Sequence, residues 1–248
     1  MEYSGFSHYH FHRLFCAYVG ESVKQYILRI RLEFAAYQLR HMKHSITLVS
    51  QEAGYNSPAS FSKAFKDLFG TNPKGFKKID FIMKEGLVIS PKEIITIESI
   101  PVYSVRHVGP YMEVGKAFEK LMKFAYTQKI KYKKNLMGKD AYTYGLTYDD
   151  PWVTASDKLR SDACVSADDD VELEEGIERR EISAGKYAMF VHKGPYSDLK
   201  DTFRGAYAWI KNEGIELRDV PNFEKYFNRD PRRTKPENLK TEVYIPIV

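Results

Sequence analysis

Two hydrophobic periods divide this chain, and the change falls near residue 80. Before it, apolar residues recur every three or four positions: Phe11 and Phe15, then Val23, Tyr26, Ile27, Ile30 and Phe34, then Phe61 and Phe65. That spacing predicts helices with one buried face. From Glu93 onward, runs rich in Ile, Val and Tyr predict strands within 93–108, 141–148, 162–167, 177–191 and 241–248. Helical stretches stand between them, over 113–130 and from Asp198. The pentapeptide His107-Val108-Gly109-Pro110-Tyr111 returns as His192-Lys193-Gly194-Pro195-Tyr196, 85 residues on, each time after a strand and before a helix. Gly supplies backbone freedom where a strand reverses, and Pro fixes φ where the next helix begins. The chain is therefore expected to hold two copies of a β-α-β-β unit, an α+β arrangement whose halves enclose a cleft.

The helical third has its own repeat, offset by 50 residues: Ser7, Phe11, Phe15, Gly20 and Tyr26 recur as Ser57, Phe61, Phe65, Gly70 and Phe76. In each copy Ser caps a helix, the paired Phe residues form its buried face, and Gly ends it. The four Phe residues are expected in the core. In the second copy, a short helix over Ile46 to Ala53, the turn Gly54-Tyr55-Asn56 and a helix from Ser57 to Phe69 make a helix-turn-helix pattern. A connecting helix over Glu21 to Met42 is expected to span ~30 Å, close to one turn of DNA.

Charge sharpens this division. Residues 1–80 hold 11 Lys/Arg against 6 Asp/Glu, so the whole net charge of +5 lies there, while 81–248 balance at 27 against 27. A basic helical module beside a neutral remainder suits a polyanion partner. The expected organisation is a DNA-binding module over 1–80, a linker over 81–92 and a second domain over 93–248.

The motifs Gly5-Phe6-Ser7-x3-Phe11-His12-Arg13-Leu14-Phe15, Gly20-x-Ser22-x3-Tyr26-Ile27-x3-Arg31-Leu32 and Ala53-Gly54-Tyr55-x-Ser57-x3-Phe61-x3-Phe65-Lys66-x3-Gly70-x2-Pro73 resemble the paired helix-turn-helix module of AraC/XylS-type transcription regulators. The resemblance implies double-stranded DNA as partner, with base-reading positions at Tyr9, His12 and Arg13 on the first recognition helix. On the second it implies Ala59, Ser60 and Lys63, with Ser62 and Lys66 nearer the DNA backbone. RNA polymerase is a further implied partner. Lys63 stands where the family more often has Arg, which removes a bidentate grip on guanine. The family module also opens with two helices ahead of the first recognition helix, whereas this sequence starts a few residues before it. Either a longer chain or weakened DNA binding accounts for that.

In the second domain, a period of two along Ala141 to Tyr148 places Tyr142, Tyr144, Leu146 and Tyr148 on one face, with Trp152 close behind. In the last strand Glu242 and Tyr244 share a face. Aromatic walls with one carboxylate suit a bulky organic cation. The duplicated Gly-Pro-Tyr, Tyr148-Asp149-Asp150-Pro151, Asp162-Ala163-Cys164, Phe223-Glu224-x-Tyr226 and Thr241-Glu242-Val243-Tyr244-Ile245-Pro246 resemble GyrI-like effector-binding domains. That resemblance implies a lipophilic, cationic small molecule, contacted at Glu242 with Tyr244 beside it and a second time at Glu224 near Tyr226. Tyr111 is expected as a pocket wall, more so than Tyr196.

The two cysteines, Cys16 and Cys164, show neither metal nor disulfide spacing, and no nucleophile–base pattern stands out. No cofactor or metal is expected. No apolar run approaches the ~20 residues of a membrane span, and the start shows no secretion leader. The expected protein is a cytoplasmic, ligand-sensing transcription regulator rather than an enzyme. The alternatives are a small-molecule hydrolase working through a pocket carboxylate, and a protein that sequesters its ligand.

Overall fold

Caps written into the sequence decide where the first helices begin and end. In the computed structural model, which describes residues 8–42, 44–78, 88–130, 143–166, 171–228 and 231–248, the chain divides between residues 81 and 82 into two compact units. The first holds α1 (His8–Val19), α2 (Val23–His41), α3 (Ile46–Glu52), α4 (Pro58–Phe69) and α5 (Pro73–Lys78). Ser22 opens α2 with a capping box closed by Gln25, Ser45 caps α3, and Ser57 caps α4 ahead of Pro58. Each such cap is worth about 1 kcal/mol. Gly70, at φ +73°, closes α4 in a left-handed conformation that costs other residues strain.

The 50-residue repeat is real in backbone and unequal in packing. Phe61 and Phe65 are fully buried, and their rings meet those of Tyr55, Phe69 and Phe76 at 4.5–5.5 Å. Their counterparts fare differently: Phe15 is half-buried against Tyr26 at 5.4 Å, and Phe11 is 43% exposed. The expectation of a core Phe11 is corrected, because the described ring that meets it is Phe15 alone, at 6.0 Å.

Among the described residues the second unit is one eight-stranded antiparallel sheet with two α-helices. Its elements are β1 (Glu93–Ile97), β2 (Ile100–Val108), α6 (Gly115–Thr127), β3 (Thr143–Thr147), β4 (Arg160–Ser166), β5 (Glu178–Ile182), β6 (Gly185–Lys193), α7 (Leu199–Glu213), β7 (Asn222–Tyr226) and β8 (Lys240–Pro246). The strand order is β1-β6-β8-β7-β3-β4-β2-β5. Two β-α-β-β units are present, β2-α6-β3-β4 and β6-α7-β7-β8. Each is preceded by a further strand that joins the opposite unit: β1 runs into β2 but pairs with β6, and β5 runs into β6 but pairs with β2. The sequence reads 93–108 as one stretch interrupted at Pro101. The break falls instead at Glu98-Ser99, and Pro101 is the second residue of β2, near a strand start where a missing N–H is tolerated.

Register reveals an approximate two-fold. His107 pairs with Ser161 as His192 pairs with Thr241, so Ala163 corresponds to Val243. Gly145 pairs with Ala163 and Glu224 with Val243, so Gly145 corresponds to Glu224. These two residues pair with each other at the centre of the sheet. The axis passes between them.

Alternate residues build two cores. On one face Tyr103, Val105, Ala163 and Val165 pack against Leu121 and Phe124 of α6. Symmetrically, Phe190 of β6 meets Trp209 of α7 at 6.1 Å. On the other face Tyr144, Cys164, Tyr187, Phe223 and Tyr244 cluster with Ile182 of β5 and with Ile95 and Ile97 of β1, so both edge strands share one core.

Candidate functional site

The repeated His-x-Gly-Pro-Tyr motif is a turn device that delivers a tyrosine. Gly109 and Gly194 adopt φ of +134° and +135°, open only to glycine without strain. The His107 Nε2 lies 3.0 Å from the Pro110 carbonyl, and the His192 Nε2 lies 3.1 Å from that of Pro195. A carbonyl only accepts, so each ring donates from Nε2. His192 then accepts at Nδ1 from the Thr202 hydroxyl, at 2.8 Å. With each turn locked, Tyr111 and Tyr196 begin the short helical turns that lead into α6 and α7.

Between those turns, on the helix-bearing face of the sheet, stands Glu224, only 7% exposed. The Tyr226 hydroxyl, two residues along β7, donates to its carboxylate. The Tyr226 ring is held edge-on from both halves, by Phe118 of α6 at 5.7 Å and by Tyr196 at 5.5 Å. The Tyr111 hydroxyl is fixed by the Asp149 main chain, donating to the carbonyl at 2.6 Å and accepting from the N–H at 3.2 Å, and the charge of Glu224 reaches it weakly. The hydroxyl that bonds the acid is thus carried by a ring packed on by aromatics of both halves.

Burial dominates the electrostatics. It pushes the Glu224 carboxyl up to about 7, against the opposing pull of the Tyr226 hydrogen bond. Burial, with the negative charge of Glu224, raises Tyr196 to about 12 and Tyr226 well above the ordinary phenol range, while Tyr111 is raised well above it by burial and the charges of Asp149, Asp150 and, least, Glu224. Among the described residues no Lys or Arg is bonded to Glu224.

Glu242 lies elsewhere. It projects on the opposite face with Tyr244, whose hydroxyl donates to it at 2.8 Å, and the Lys240 ammonium stands 3.2 Å away. Tyr244 stacks on Phe223 with centroids 4.3 Å apart, and Tyr144 meets Phe223 at 6.1 Å. The residues expected around one ligand therefore fall into two groups, Tyr144, Glu242 and Tyr244 on one face and Tyr111, Glu224 and Tyr226 on the other. Trp152 belongs to neither: its main-chain N–H donates to the Asp150 carboxylate at 2.8 Å and its ring meets Arg204 of α7 at 5.7 Å. Tyr142 lies outside the described residues. Phe118 and Gly145 join the central group without a sequence signal, since one aromatic on an apolar helix face reads as core and one Gly in a strand reads as a weak spot.

In the first unit, Ala59, Ser60, Lys63 and Lys66 are exposed along α4, and Ser62 is half-buried. The Ser60 hydroxyl is engaged locally, donating to the Ser57 carbonyl at 2.9 Å. On α1, Arg13 is exposed, and so is His12, whose Nδ1 lies 3.6 Å from Cys16 Sγ. Tyr9 lies within α1; its side chain is outside the described residues. No described helix is long and apolar enough to cross a membrane.

Comparison with known proteins follows the same division. Residues 91–248 match the family of GyrI-like small molecule binding domains, and residues 2–79 match a helix-turn-helix domain family. The probable transcriptional regulator YgiV of Escherichia coli is 31% identical over 107 residues, 42% of this chain and 66% of that protein's length. The transcriptional regulator Rob of Salmonella typhimurium is 21% identical over 271 residues, 98% of this chain and 89% of Rob. Among solved structures, EcmrR in complex with DNA superposes with a TM-score of 0.54 at 20% identity, over 62% of this chain and 56% of EcmrR, a likeness of fold.

Proposed function

Since the chain belongs to the GyrI-like small-molecule-binding family, with an AraC-type helix-turn-helix module ahead of that domain, we propose that it is a DNA-binding transcription regulator whose C-terminal unit senses a lipophilic organic cation. The observation that carries the ligand class is Glu224: a buried carboxylate without a bonded cation among the described residues, hydrogen-bonded by Tyr226, whose ring packs against Phe118 and Tyr196. Burying an acid without a countercharge is costly, and a ligand that brings the charge removes that cost. Aromatic faces add cation–π attraction and apolar area. Glu242, already met by Lys240 and Tyr244, offers a cation less. Ligand binding then acts on DNA occupancy or on contacts with RNA polymerase through a shift between states that differ in ligand affinity.

The DNA half is supported by the exposed Lys63 and Lys66 on α4 and by the placement of the whole net positive charge in residues 1–80. Selecting fragments from a random duplex pool with the full chain, then measuring affinity against salt, tests it. Affinity is expected to fall by ~0.9 log unit per log unit of salt for each phosphate neutralised. Binding that ignores salt, or no selected fragment, contradicts this half.

A second reading rests on the same carboxylate. An acid titrating near 7 beside a tyrosine is what a general base needs. Turnover of an electrophilic small molecule, lost in Glu224→Gln with binding retained, identifies a hydrolase in place of a sensor.

A further inference from the structure

Gly145 lies inside β3, is buried, and has no left-handed φ, so its backbone does not require glycine. Gly within a strand weakens it unless another group must approach closely. The approaching group is identifiable. A Cβ at 145 would stand 2.7 Å from the Tyr226 hydroxyl oxygen and 3.4 Å from two carbons of its ring. We propose that Gly145 is a positioning residue of the central site: its missing side chain is the space in which the Tyr226 hydroxyl reaches Glu224, and this fixes one carboxylate on the axis between the halves. The geometry stands independently of function; the ligand class it implies rests on the reading of Glu224 as the charge partner of a cation.

Two further observations make the contact consequential. The Tyr226 ring is gripped edge-on by Phe118 and Tyr196, so a side chain at 145 could not displace the hydroxyl without moving rings from both halves. And the two-fold maps Gly145 onto Glu224 itself. Equal residues at these directly paired positions would put two carboxylates about 5 Å apart at the Cα level, where like charges hold one of them protonated. Gly at one position and Glu at the other turn a symmetric sheet centre into a site with a single acid. The ligand it matches carries one positive charge flanked by aryl groups.

The test uses the full chain as Gly145→Ala, Tyr226→Phe and the double variant. The Glu224 carboxyl is followed by 13C NMR of labelled glutamate and assigned with Glu224→Gln. The Tyr226 hydrogen bond favours the carboxylate, so Tyr226→Phe is expected to raise the midpoint of Glu224. Gly145→Ala is expected to raise it by the same amount, and the double variant no further. An unmoved midpoint in Gly145→Ala, or shifts that add in the double variant, overturns the proposal. If Gly145→Ala alone does not fold, the double variant, relieved of the 2.7 Å clash, is expected to fold. A double variant that also fails overturns the steric relation. Calorimetry with tetraphenylphosphonium reads the ligand class: each single variant is expected to bind about tenfold more weakly, with no further loss in the double. An unmodified chain that ignores this cation overturns the ligand class, while the carboxyl midpoints still decide the role of Gly145.

Discussion

Glu224 and Glu242 stand on neighbouring strands with their carboxylates on opposite faces of the sheet. Glu224 pairs with Val243, the residue between Glu242 and Tyr244, so each acid lies on the side that the other's neighbours avoid. The consequence is electrostatic. Glu242 has Lys240 at 3.2 Å, whereas Glu224 is met by the Tyr226 hydroxyl and by no bonded cation among the described residues. Only the second arrangement leaves a charge for a ligand to satisfy.

The pH dependence of stability follows from the buried acid. Glu224 titrates at about 7 in the folded chain, above its ordinary 4.5. Over the window between these values the folded chain keeps a proton that the unfolded chain has lost. The group's contribution to stability is full below the lower value, declines as pH rises, and levels off above the higher, a change on the order of 3 kcal/mol at most. Glutamine cannot titrate. Melting temperatures measured from pH 5 to pH 8 are therefore expected to show Glu224→Gln gaining on the unmodified chain as pH rises, and a constant difference contradicts the placement of this acid.

The two motif tyrosines are expected to differ. The Tyr111 hydroxyl is fixed by two hydrogen bonds to the Asp149 main chain, which lock its ring in place. Tyr196 feels the charge of Glu224 and packs edge-on against Tyr226, but its hydroxyl has no hydrogen bond among the described residues to hold the ring. Tyr111→Ala is expected to weaken cation binding roughly tenfold and Tyr196→Ala roughly threefold. Equal or reversed losses by calorimetry contradict the asymmetry.

How far sequence reaches is shown by these elements. The repeats were legible because Gly-Pro-Tyr and the paired Phe positions are local chemistry: φ requirements and helical spacing. Strand parity also showed correctly that Glu242 shares a face with Tyr244. Parity within one strand says nothing about which face a helix covers, so Glu224 and Glu242 looked like parts of one site. The exchange of β1 and β5 was equally hidden, since each is a short apolar strand whose partner is set by tertiary packing. Gly145 shows its role only when Tyr226, 81 residues away in sequence, is placed above it.

On the DNA side, contacts with phosphate and with bases separate by salt and by sequence. Lys66→Ala is expected to weaken binding to all duplexes alike and to lower the salt slope by about 0.9. Lys63→Ala and Arg13→Ala are expected to cost the selected fragment on the order of tenfold more than random DNA. Equal losses on both duplexes contradict base reading by these residues.

The central claim, that Glu224 in its carboxylate form receives an organic cation, is tested most directly by calorimetry of the full chain with tetraphenylphosphonium between pH 5.5 and 8.5. The unmodified chain and Glu242→Gln are expected to gain affinity about tenfold per pH unit below the Glu224 midpoint and to level off above it. Glu224→Gln is expected to bind weakly at every pH. Affinity that is independent of pH and unchanged in Glu224→Gln contradicts the account.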